Sequence, residues 1–270
     1  MSRSFPSSTK GDMKLTPALC RPLDITFHAH YSRLMKDIFL ADAHLLNPAD
    51  SNYQRLLHFI DSQAAEIRTL YLLGDIFEFW VGYRSVVFSS YVPLLEALRR
   101  LRRRGVEIVY VEGNHDFHLG PYFKKELSCR ILPDGGSITI DGLKVYIGHG
   151  DLVDQEDKSY RLLRRFLRSP LLKFLMAIAP PDLTWAISQW GSRRSKERRS
   201  GTPRPHLPEQ ALHRHAQGLF AEGHQAVITG HFHTPLFESS TQGTLIALGD
   251  WITQYSYAIY EDGAFSLRTF

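Results

Sequence analysis

Five short polar motifs, each placed directly after an apolar run, constrain the fold of this chain more than any other feature. They are Asp42-Ala43-His44, Gly74-Asp75, Gly113-Asn114-His115-Asp116, Gly148-His149-Gly150-Asp151 and Gly230-His231-Phe232-His233. The apolar runs before them, at residues 38–40, 70–73, 109–111, 145–147 and 226–229, predict buried strands. In α/β sheets, ligands bind beyond the carboxyl ends of strands, where glycine permits a sharp turn. The pattern therefore predicts an α/β fold whose strand ends build one site.

The side chains at these strand ends are of the kinds that bind divalent cations. They are Asp42, Asp75, Asn114, His44, His149, His231 and His233. This mixture of carboxylate, amide and imidazole suits Mn²⁺, Zn²⁺ or Fe²⁺, and it does not suit a thiolate site or a site of oxygen ligands alone. A single Gly-Asp or His-x-His is weak evidence, because such pairs are common in ordinary turns. Five of them at five strand ends predict a metal centre, which a bridging carboxylate would make binuclear.

Charge is segregated along the chain. Residues 158–204 hold twelve Lys or Arg against Asp182 and Glu197, so this segment carries +10 and the rest carries −6, within a total of +4. Such a segment indicates an anionic partner or a membrane-facing surface.

Length and composition favour one large domain, since 270 residues with 43% hydrophobic content can bury a full core. Cys20 and Cys129 have neither metal nor redox spacing, so we expect free thiols and a reducing compartment. The sequence shows no signal-peptide pattern and no apolar run near the ~18 residues of a membrane span. We therefore expect a cytoplasmic protein, resting peripherally on the cytoplasmic face of the inner membrane.

Residues 1–34 differ in composition from the rest of the chain. They are rich in Ser, Pro and Thr and lack an apolar period, so we expect a disordered or loosely attached extension. Met35 directly precedes the first predicted strand, and either Met1 or Met35 would serve as the start. Residues 35–270 form the predicted domain.

Helices and strands alternate through most of this domain. Apolar spacing predicts helices over 51–67 and 91–104, and turn signals predict a β-hairpin over 131–147. After residue 212, a short helix and strands over 226–229, 244–248, 255–260 and 265–267 are expected to close a second sheet. Residues 152–208 break the rhythm. There, helices over 159–175 and about 183–190 predict an inserted helical cap, whose first helix is basic and amphipathic.

In their order, the five motifs resemble those of the calcineurin-like metallophosphoesterases, from Asp42 to His233. The resemblance implies a four-layer α/β/β/α sandwich with two divalent cations, Mn²⁺ foremost and Zn²⁺ or Fe²⁺ as alternatives. One cation would be held by Asp42, His44, Asp75 and His233, and the other by Asp75, Asn114, His149 and His231. Asp75 would bridge them, and together they would clamp a phosphate and activate a water for in-line attack.

The same resemblance implies catalytic roles for the two residues that follow Asn114, which are His115 and Asp116. His115 would face the phosphate, where it protonates the leaving oxygen or stabilises charge, and Asp116 would orient its imidazole. The alternative is that Asp116 only caps a turn. Asp151 and Asp250, also at strand tips, are candidates for supporting the metal ligands.

Longer stretches, at residues 74–82, 113–120 and in the cap, resemble the family of UDP-2,3-diacylglucosamine diphosphatases of lipid A biosynthesis. This resemblance implies hydrolysis of UDP-2,3-diacylglucosamine to UMP and 2,3-diacylglucosamine 1-phosphate. The substrate contacts that it implies are Asn114, His115, Asp157, Tyr160, Ser195, Arg199 and His231. Three positions depart from the pattern. One branch of the family has Arg at the position of His115, while Arg199 and Thr202 replace an Asn and a substrate-binding Lys.

Two other functions fit the same motifs. A broader phosphodiesterase or nuclease would use the same cations, but the basic residues of the cap alternate with Leu, Phe, Met, Ile and Trp, which suits a lipid better than a polynucleotide. A non-catalytic scaffold of this fold is expected to have lost ligands, and this chain keeps all seven. The expected partners are therefore a UDP-linked acylated sugar, or another phosphodiester, and an anionic membrane surface, without nucleic acid.

Overall fold

The computed structural model describes Met1 and residues 35–154, 158–199 and 207–270, with the backbone alone at residue 177 and over 191–199. Of the predicted extension, residues 1–34, all but Met1 lies outside the described residues. The strands are β1 Lys36–Leu40, β2 Ile67–Leu72, β3 Glu107–Val111, β4 Arg130–Leu132, β5 Gly136–Ile140, β6 Leu143–Gly148, β7 Ala226–Thr229, β8 Pro235–Ser239, β9 Thr244–Leu248, β10 Ser256–Glu261 and β11 Ala264–Thr269. The α-helices are α1 Ser51–Gln63, α2 Val92–Arg103, α3 Lys158–Leu167, α4 Pro170–Ile178, α5 Pro181–Arg199 and α6 Glu209–Ala221.

Two mixed sheets contain these strands. The first has the order β11-β10-β1-β2-β3-β4, and the second has the order β5-β6-β7-β9-β8. β1, β2, β3 and β4 run parallel, as do β6, β7 and β9, so that the carboxyl ends of the motif-bearing strands point the same way within each sheet. Parallel strands are buried on both faces, which explains the continuous apolar runs before the polar motifs.

The two sheets pack face to face, and helices cover their outer faces. Phe39, Tyr71 and Val109 of the first sheet share one core with Val145 and Ile228 of the second. On the far side of the first sheet, a larger core includes buried residues of α1 and α2, and α6 packs on the far side of the second sheet. The order helix, sheet, sheet, helix confirms the predicted four-layer sandwich.

One expectation about the strands is wrong, and one strand was not predicted. β10 and β11 do not close the second sheet: β10 pairs antiparallel with β1, and β11 forms the edge of the first sheet. β8, which was not predicted, forms an edge of the second sheet instead. An apolar run predicts that a strand is buried, but it does not show which sheet the strand joins.

The expected helix over 159–175 is two helices, α3 and α4. The break falls at Ser169-Pro170, where Pro170 begins α4 and the Ser169 side chain accepts a hydrogen bond from the Leu172 N–H, at 3.2 Å. Proline has no N–H to continue α3 and has the backbone geometry of a first helical position. The later helix, α5, is also longer than expected. No helix in the described part of the chain combines the length and apolar character that crossing a membrane demands.

Candidate metal centre

The loops that follow β1, β2, β3, β6 and β7 meet at one place, where the two sheets present their carboxyl ends. Backbone hydrogen bonds fix this meeting. The Asp42 N–H donates to the Gly74 carbonyl at 3.1 Å, and the Gly230 N–H donates to the His149 carbonyl at 2.8 Å. The structure thus brings together the seven side chains that the sequence singles out as metal ligands.

A first cluster surrounds the Asp42 carboxylate. His233 Nε2 lies 3.4 Å from Asp42 Oδ1, and His44 Nε2 lies 4.0 Å from the same oxygen. His44 Nε2 is also 3.7 Å from Asp75 Oδ2. Asp42, His44 and His233 place one ligand atom each within 4.8 Å of one another, a separation that one cation can span.

A second cluster surrounds His149 Nε2. The Asn114 Oδ1 atom lies 3.0 Å from it, His231 Nδ1 lies 3.3 Å away, and Asp75 Oδ2 lies 3.5 Å away. Asp75 Oδ2 therefore contacts both clusters, which is the geometry of a bridging carboxylate. His149 Nδ1 lies 2.8 Å from the Leu73 carbonyl, and this partner turns Nε2 toward the cluster.

The backbone is strained at these positions. Five of the seven side chains belong to residues with positive φ although they are not glycine: Asp42 (53°), His44 (45°), Asp75 (54°), His231 (75°) and His233 (54°). A left-handed conformation is uncommon for such residues, and backbone strain of this kind concentrates at functional sites because the surrounding fold must enforce it.

Burial and mutual proximity shift the pKa values across the site. Burial raises the pKa of Asp42 to about 7, against the opposing effect of His149. Burial alone would lower the pKa of His149, but the Asp75 and Asp42 carboxylates raise it to about 10. Burial lowers the pKa of His231 and of His233 to about 4, helped by the neighbouring His149 and His44 respectively. Such opposed shifts among packed groups are typical of functional sites.

The residues fit a divalent metal. Among the described residues, Asp42 Oδ1 and His44 Nε2 are buried without a hydrogen-bond partner, although a buried polar atom without a partner is costly. Both atoms belong to the first cluster, where a cation would satisfy them. The carboxylate, imidazole and amide ligands are those of Mn²⁺, Zn²⁺ and Fe²⁺ sites.

Glu78 holds two of the histidines, and sequence reasoning missed it. Its carboxylate oxygen Oε2 lies 3.3 Å from His44 Nδ1, and its backbone carbonyl lies 2.8 Å from His115 Nδ1. In both rings, Nε2 therefore lies on the side of Asp75. His115 Nε2 is 4.0 Å from Asp75 Oδ2. The sequence did contain a signal for Glu78, which is an acid directly after the apolar pair Ile76-Phe77 that follows Gly74-Asp75.

The expected role of Asp116 is corrected. Its buried carboxylate accepts hydrogen bonds from the Asp75, Ile76 and Gly113 N–H groups, at 2.8 to 3.0 Å, and from the Tyr110 hydroxyl at 2.6 Å. The Glu78 carbonyl, not Asp116, is the group that orients His115. Asp116 instead ties the Asp75 loop to the Gly113 loop, which is close to the alternative of a turn cap.

Asp151 and Asp250, the two candidates for supporting the metal ligands, contact different parts of the structure. Asp250 accepts hydrogen bonds from three backbone N–H groups of its own loop, and its Oδ2 lies 3.8 Å from His233 Nδ1. Asp151 Oδ2 accepts from the Tyr160 hydroxyl at 2.8 Å and from Arg164 Nε at 2.6 Å. Asp250 thus lies behind a candidate ligand, whereas Asp151 binds the cap.

Of the predicted substrate contacts outside the metal clusters, the structure describes the side chains of His115, placed above, and Tyr160. The ring centroid of Tyr160 lies 6.1 Å from that of His231. Asp157 lies outside the described residues, and Ser195 and Arg199 lie on α5 where the side chains are not described.

The model of the calcineurin-like phosphoesterase family matches residues 35–235, which include all five motifs. The chain belongs to this family. It is a phosphohydrolase, and its ligand set supports the use of divalent metal. The family, the fold class and the enzyme class expected from the sequence are therefore confirmed.

Three similar relatives are each named UDP-2,3-diacylglucosamine hydrolase. The protein of Tolumonas auensis is 30% identical over 238 residues, which cover 84% of this chain and 94% of the relative. The protein of Neisseria meningitidis serogroup B is 30% identical over 83% of this chain and 93% of its own length. The protein of Aeromonas salmonicida is 31% identical over 85% and 91%. Among solved structures, an archaeal phosphodiesterase is similar with a TM-score of 0.47 and 16% identity, covering 87% of this chain and all of its own.

Proposed function

We propose that this protein hydrolyses the diphosphate bond of UDP-2,3-diacylglucosamine, which yields UMP and 2,3-diacylglucosamine 1-phosphate. The observation that carries the proposal is that relatives with this hydrolase name match about 84% of the chain, from the strands through the cap, while the ligand set is complete. The proposal assigns Asp42, His44, Asp75 and His233 to one cation and Asp75, Asn114, His149 and His231 to the other, with Mn²⁺ as the first candidate.

When bound, the two cations would polarise a phosphoryl group and supply a nucleophile from water at neutral pH. The chain's own residues position the reacting groups. Asp75 holds the two clusters at a fixed separation, and its Oδ1 accepts hydrogen bonds from the Asn114 and His115 N–H groups at 2.8 and 2.9 Å. Because the Glu78 carbonyl can only accept, Nδ1 of His115 carries a proton, and in the imidazolium form of the ring Nε2 would donate a proton or a hydrogen bond to a phosphate oxygen.

The cap provides features that suit the rest of this substrate. Apolar side chains of α3–α5 are exposed, among them Phe166, Leu171, Phe174 and Ile187. Two acyl chains laid against such a face would gain about 0.8 kcal/mol for each CH₂ removed from water. Basic side chains of α3 and α4, including Arg161, Arg165 and Lys173, line a cavity of about 970 Å³ between the cap and the loops after β3, β4 and β6.

Substrate comparison tests the proposal. With Mn²⁺ present, we expect kcat/KM for UDP-2,3-diacylglucosamine to exceed that for UDP-glucosamine by several orders of magnitude and to fall as the acyl chains are shortened. Bis-p-nitrophenyl phosphate and single-stranded DNA serve as the comparison substrates. Equal cleavage of the acylated and deacylated nucleotide sugars would overturn the lipid assignment and favour a broader phosphodiesterase. Cleavage of DNA would favour a nuclease.

A further inference from the structure

Three side chains of the first cap helix, α3, or of the turn that ends it form a stripe toward the strand-end loops. Tyr160, Arg164 and Arg168 are spaced by four residues, so they share one helical face. Arg164 and Tyr160 bind Asp151 in the loop after β6, and Arg164 also binds Asp134 at 2.7 Å. Arg168 reaches a different loop, which follows β3 and carries the candidate ligand Asn114.

Arg168 makes four hydrogen bonds around this loop. Its Nη1 donates to Glu112 Oε2 at 3.2 Å and to the Pro133 carbonyl at 2.7 Å. Its Nη2 donates to the Glu112 and Gly113 carbonyls, both at 3.2 Å. The Arg168 and Glu112 side chains are only 14% and 8% exposed, so water has little access to this contact.

The N–H groups of the same peptide units donate hydrogen bonds to carboxylates of the candidate metal centre and its support. The Gly113 N–H donates to Asp116, and the Asn114 and His115 N–H groups donate to Asp75. Gly113 has no room to move toward these acids, since a Cβ at this position would collide with Asp75 Oδ1. The carbonyls of Glu112 and Gly113 therefore bind a cation from the cap, while the N–H groups of residues 113–115 bind carboxylates of the core.

We propose that Arg168 is a positioning residue for the phosphoester reaction, because it fixes the peptide units that aim Asn114 and His115. The inference rests on the proposed roles of Asn114 and His115, and not on the identity of the lipid substrate. Without the guanidinium, the Glu112 and Gly113 carbonyls and Glu112 Oε2 lose the donor that Arg168 provides, and the loop is free to rotate away from Asp75. Lysine would keep the charge but lacks the planar fork that reaches four acceptors.

The test compares Arg168→Ala and Arg168→Lys with Arg104→Ala, which removes an exposed arginine at the end of α2, outside the cap. The substrate is bis-p-nitrophenyl phosphate, which is too small to need the acyl-binding face. At saturating Mn²⁺, we expect kcat of Arg168→Ala to fall about 10–100-fold, the range for groups that orient metal ligands, with KM changed less than ~3-fold. Arg168→Lys should recover part of the loss, methylguanidinium should rescue Arg168→Ala, and Arg104→Ala should match the parent protein.

Mn²⁺ affinity gives a second readout that needs no turnover, and calorimetry should show it about 10–100-fold weaker in Arg168→Ala. If kcat and Mn²⁺ affinity are both unchanged in Arg168→Ala, the proposal is overturned, and Arg168 only attaches the cap to the core. An equal loss of kcat in Arg104→Ala, or a loss in Arg168→Ala that methylguanidinium fails to reverse, would also overturn it. If the parent protein cleaves the small diester but not UDP-2,3-diacylglucosamine, the substrate assignment fails while the Arg168 comparison still stands.

Discussion

Glu78 shows how one residue can orient two rings of the site. Its carboxylate faces His44 and its carbonyl faces His115, so that the first cluster and the candidate proton donor are held by a single position. Groups of this kind fix which nitrogen of a histidine faces a metal and raise its basicity. Burial alone would lower the pKa of His44, but the hydrogen bond to Glu78 and the Asp75 carboxylate raise it above its ordinary value.

Replacing Glu78 by Gln tests this role. The amide keeps the size of the side chain but removes its charge, so we expect metal affinity to fall about 10–100-fold while the protein stays folded. Isothermal titration of the metal-free protein with Mn²⁺ measures the change. Glu96→Gln, which changes a half-buried acid on α2 outside the site, is the matched control, and equal affinities for the two variants would contradict the assignment.

Substitutions of Asp75 and of His115 should have different effects on metal content and on the rate of hydrolysis. Because Asp75 Oδ2 contacts both clusters, Asp75→Ala is expected to lose both metals and essentially all activity. His115→Ala should keep both metals and lose about 10²–10⁴-fold in rate, the range for a general acid. Metal content by mass spectrometry, measured beside kcat, distinguishes the two. Metal loss from His115→Ala would show that His115 is itself a ligand.

The metal-free protein should lose stability as pH rises from about 7 to about 10. The folded state keeps a proton on His149 up to about pH 10, whereas the unfolded chain releases it near its ordinary pKa of 6.5. His44, with a raised pKa, acts in the same direction, and Asp42, with a pKa of about 7, contributes only at lower pH. Thermal melts across this range measure the slope, and His149→Gln should flatten it. An equal slope in that variant would refute the assignment to His149.

The ligands were predictable from the sequence because each lies within a short motif directly after a strand. Glu78 and Arg168 were not. Glu78 acts through a ring nitrogen and a carbonyl that only the folded loop brings together, and Arg168 acts on a loop 55 residues earlier in the chain. The family resemblance places Asp116 behind His115, but the direction of the Asp116 carboxylate depends on the folded loop, where it binds the Asp75, Ile76 and Gly113 N–H groups instead.

At the scale of elements, the sequence predicts where strands occur better than how they pair. β10 joins β1 in the first sheet, with Ala258 opposite Phe39, although its sequence neighbours β7, β8 and β9 form part of the second. The cap shows the same limit for helices. Apolar spacing continues across Ser169-Pro170, but the proline divides the stretch into α3 and α4.

The pairing of β10 predicts a large effect at Ala258. This residue is fully buried in the core between the two sheets. Ala258→Asp would bury a carboxylate without a partner, so we expect the free energy of unfolding to fall by more than about 4 kcal/mol. The midpoint of urea unfolding measures it, with Thr269→Asp on the exposed edge strand β11 as the control. A difference below ~1 kcal/mol between the two variants would contradict this placement of β10.

At the scale of the whole molecule, the cap differs from the core in both charge and exposure. The basic segment that the sequence predicts includes α3 and α4, where Arg164 and Arg168 bind the core while Arg161 and Arg165 stay exposed. Beside them, Leu162, Phe166, Leu171 and Phe174 are 57–71% exposed. Exposed apolar side chains interspersed with cations on the same helices are typical of a surface that meets a ligand or a membrane.

We expect the protein to bind anionic vesicles peripherally and to leave them in high salt. Each basic residue near such a surface contributes about 1 kcal/mol, and salt screens this attraction. The double substitution Arg161→Glu with Arg165→Glu should therefore weaken binding to phosphatidylglycerol vesicles at least ~10-fold, because it removes two attractions and adds two repulsions. Arg104→Glu, at the end of α2 and outside the cap, should bind as the parent protein does. Co-sedimentation over a salt series measures both. If vesicle binding is unchanged by salt and by the double substitution, the apolar face alone attaches the protein to the membrane. If the protein does not bind vesicles, the apolar face serves only the acyl chains of the substrate.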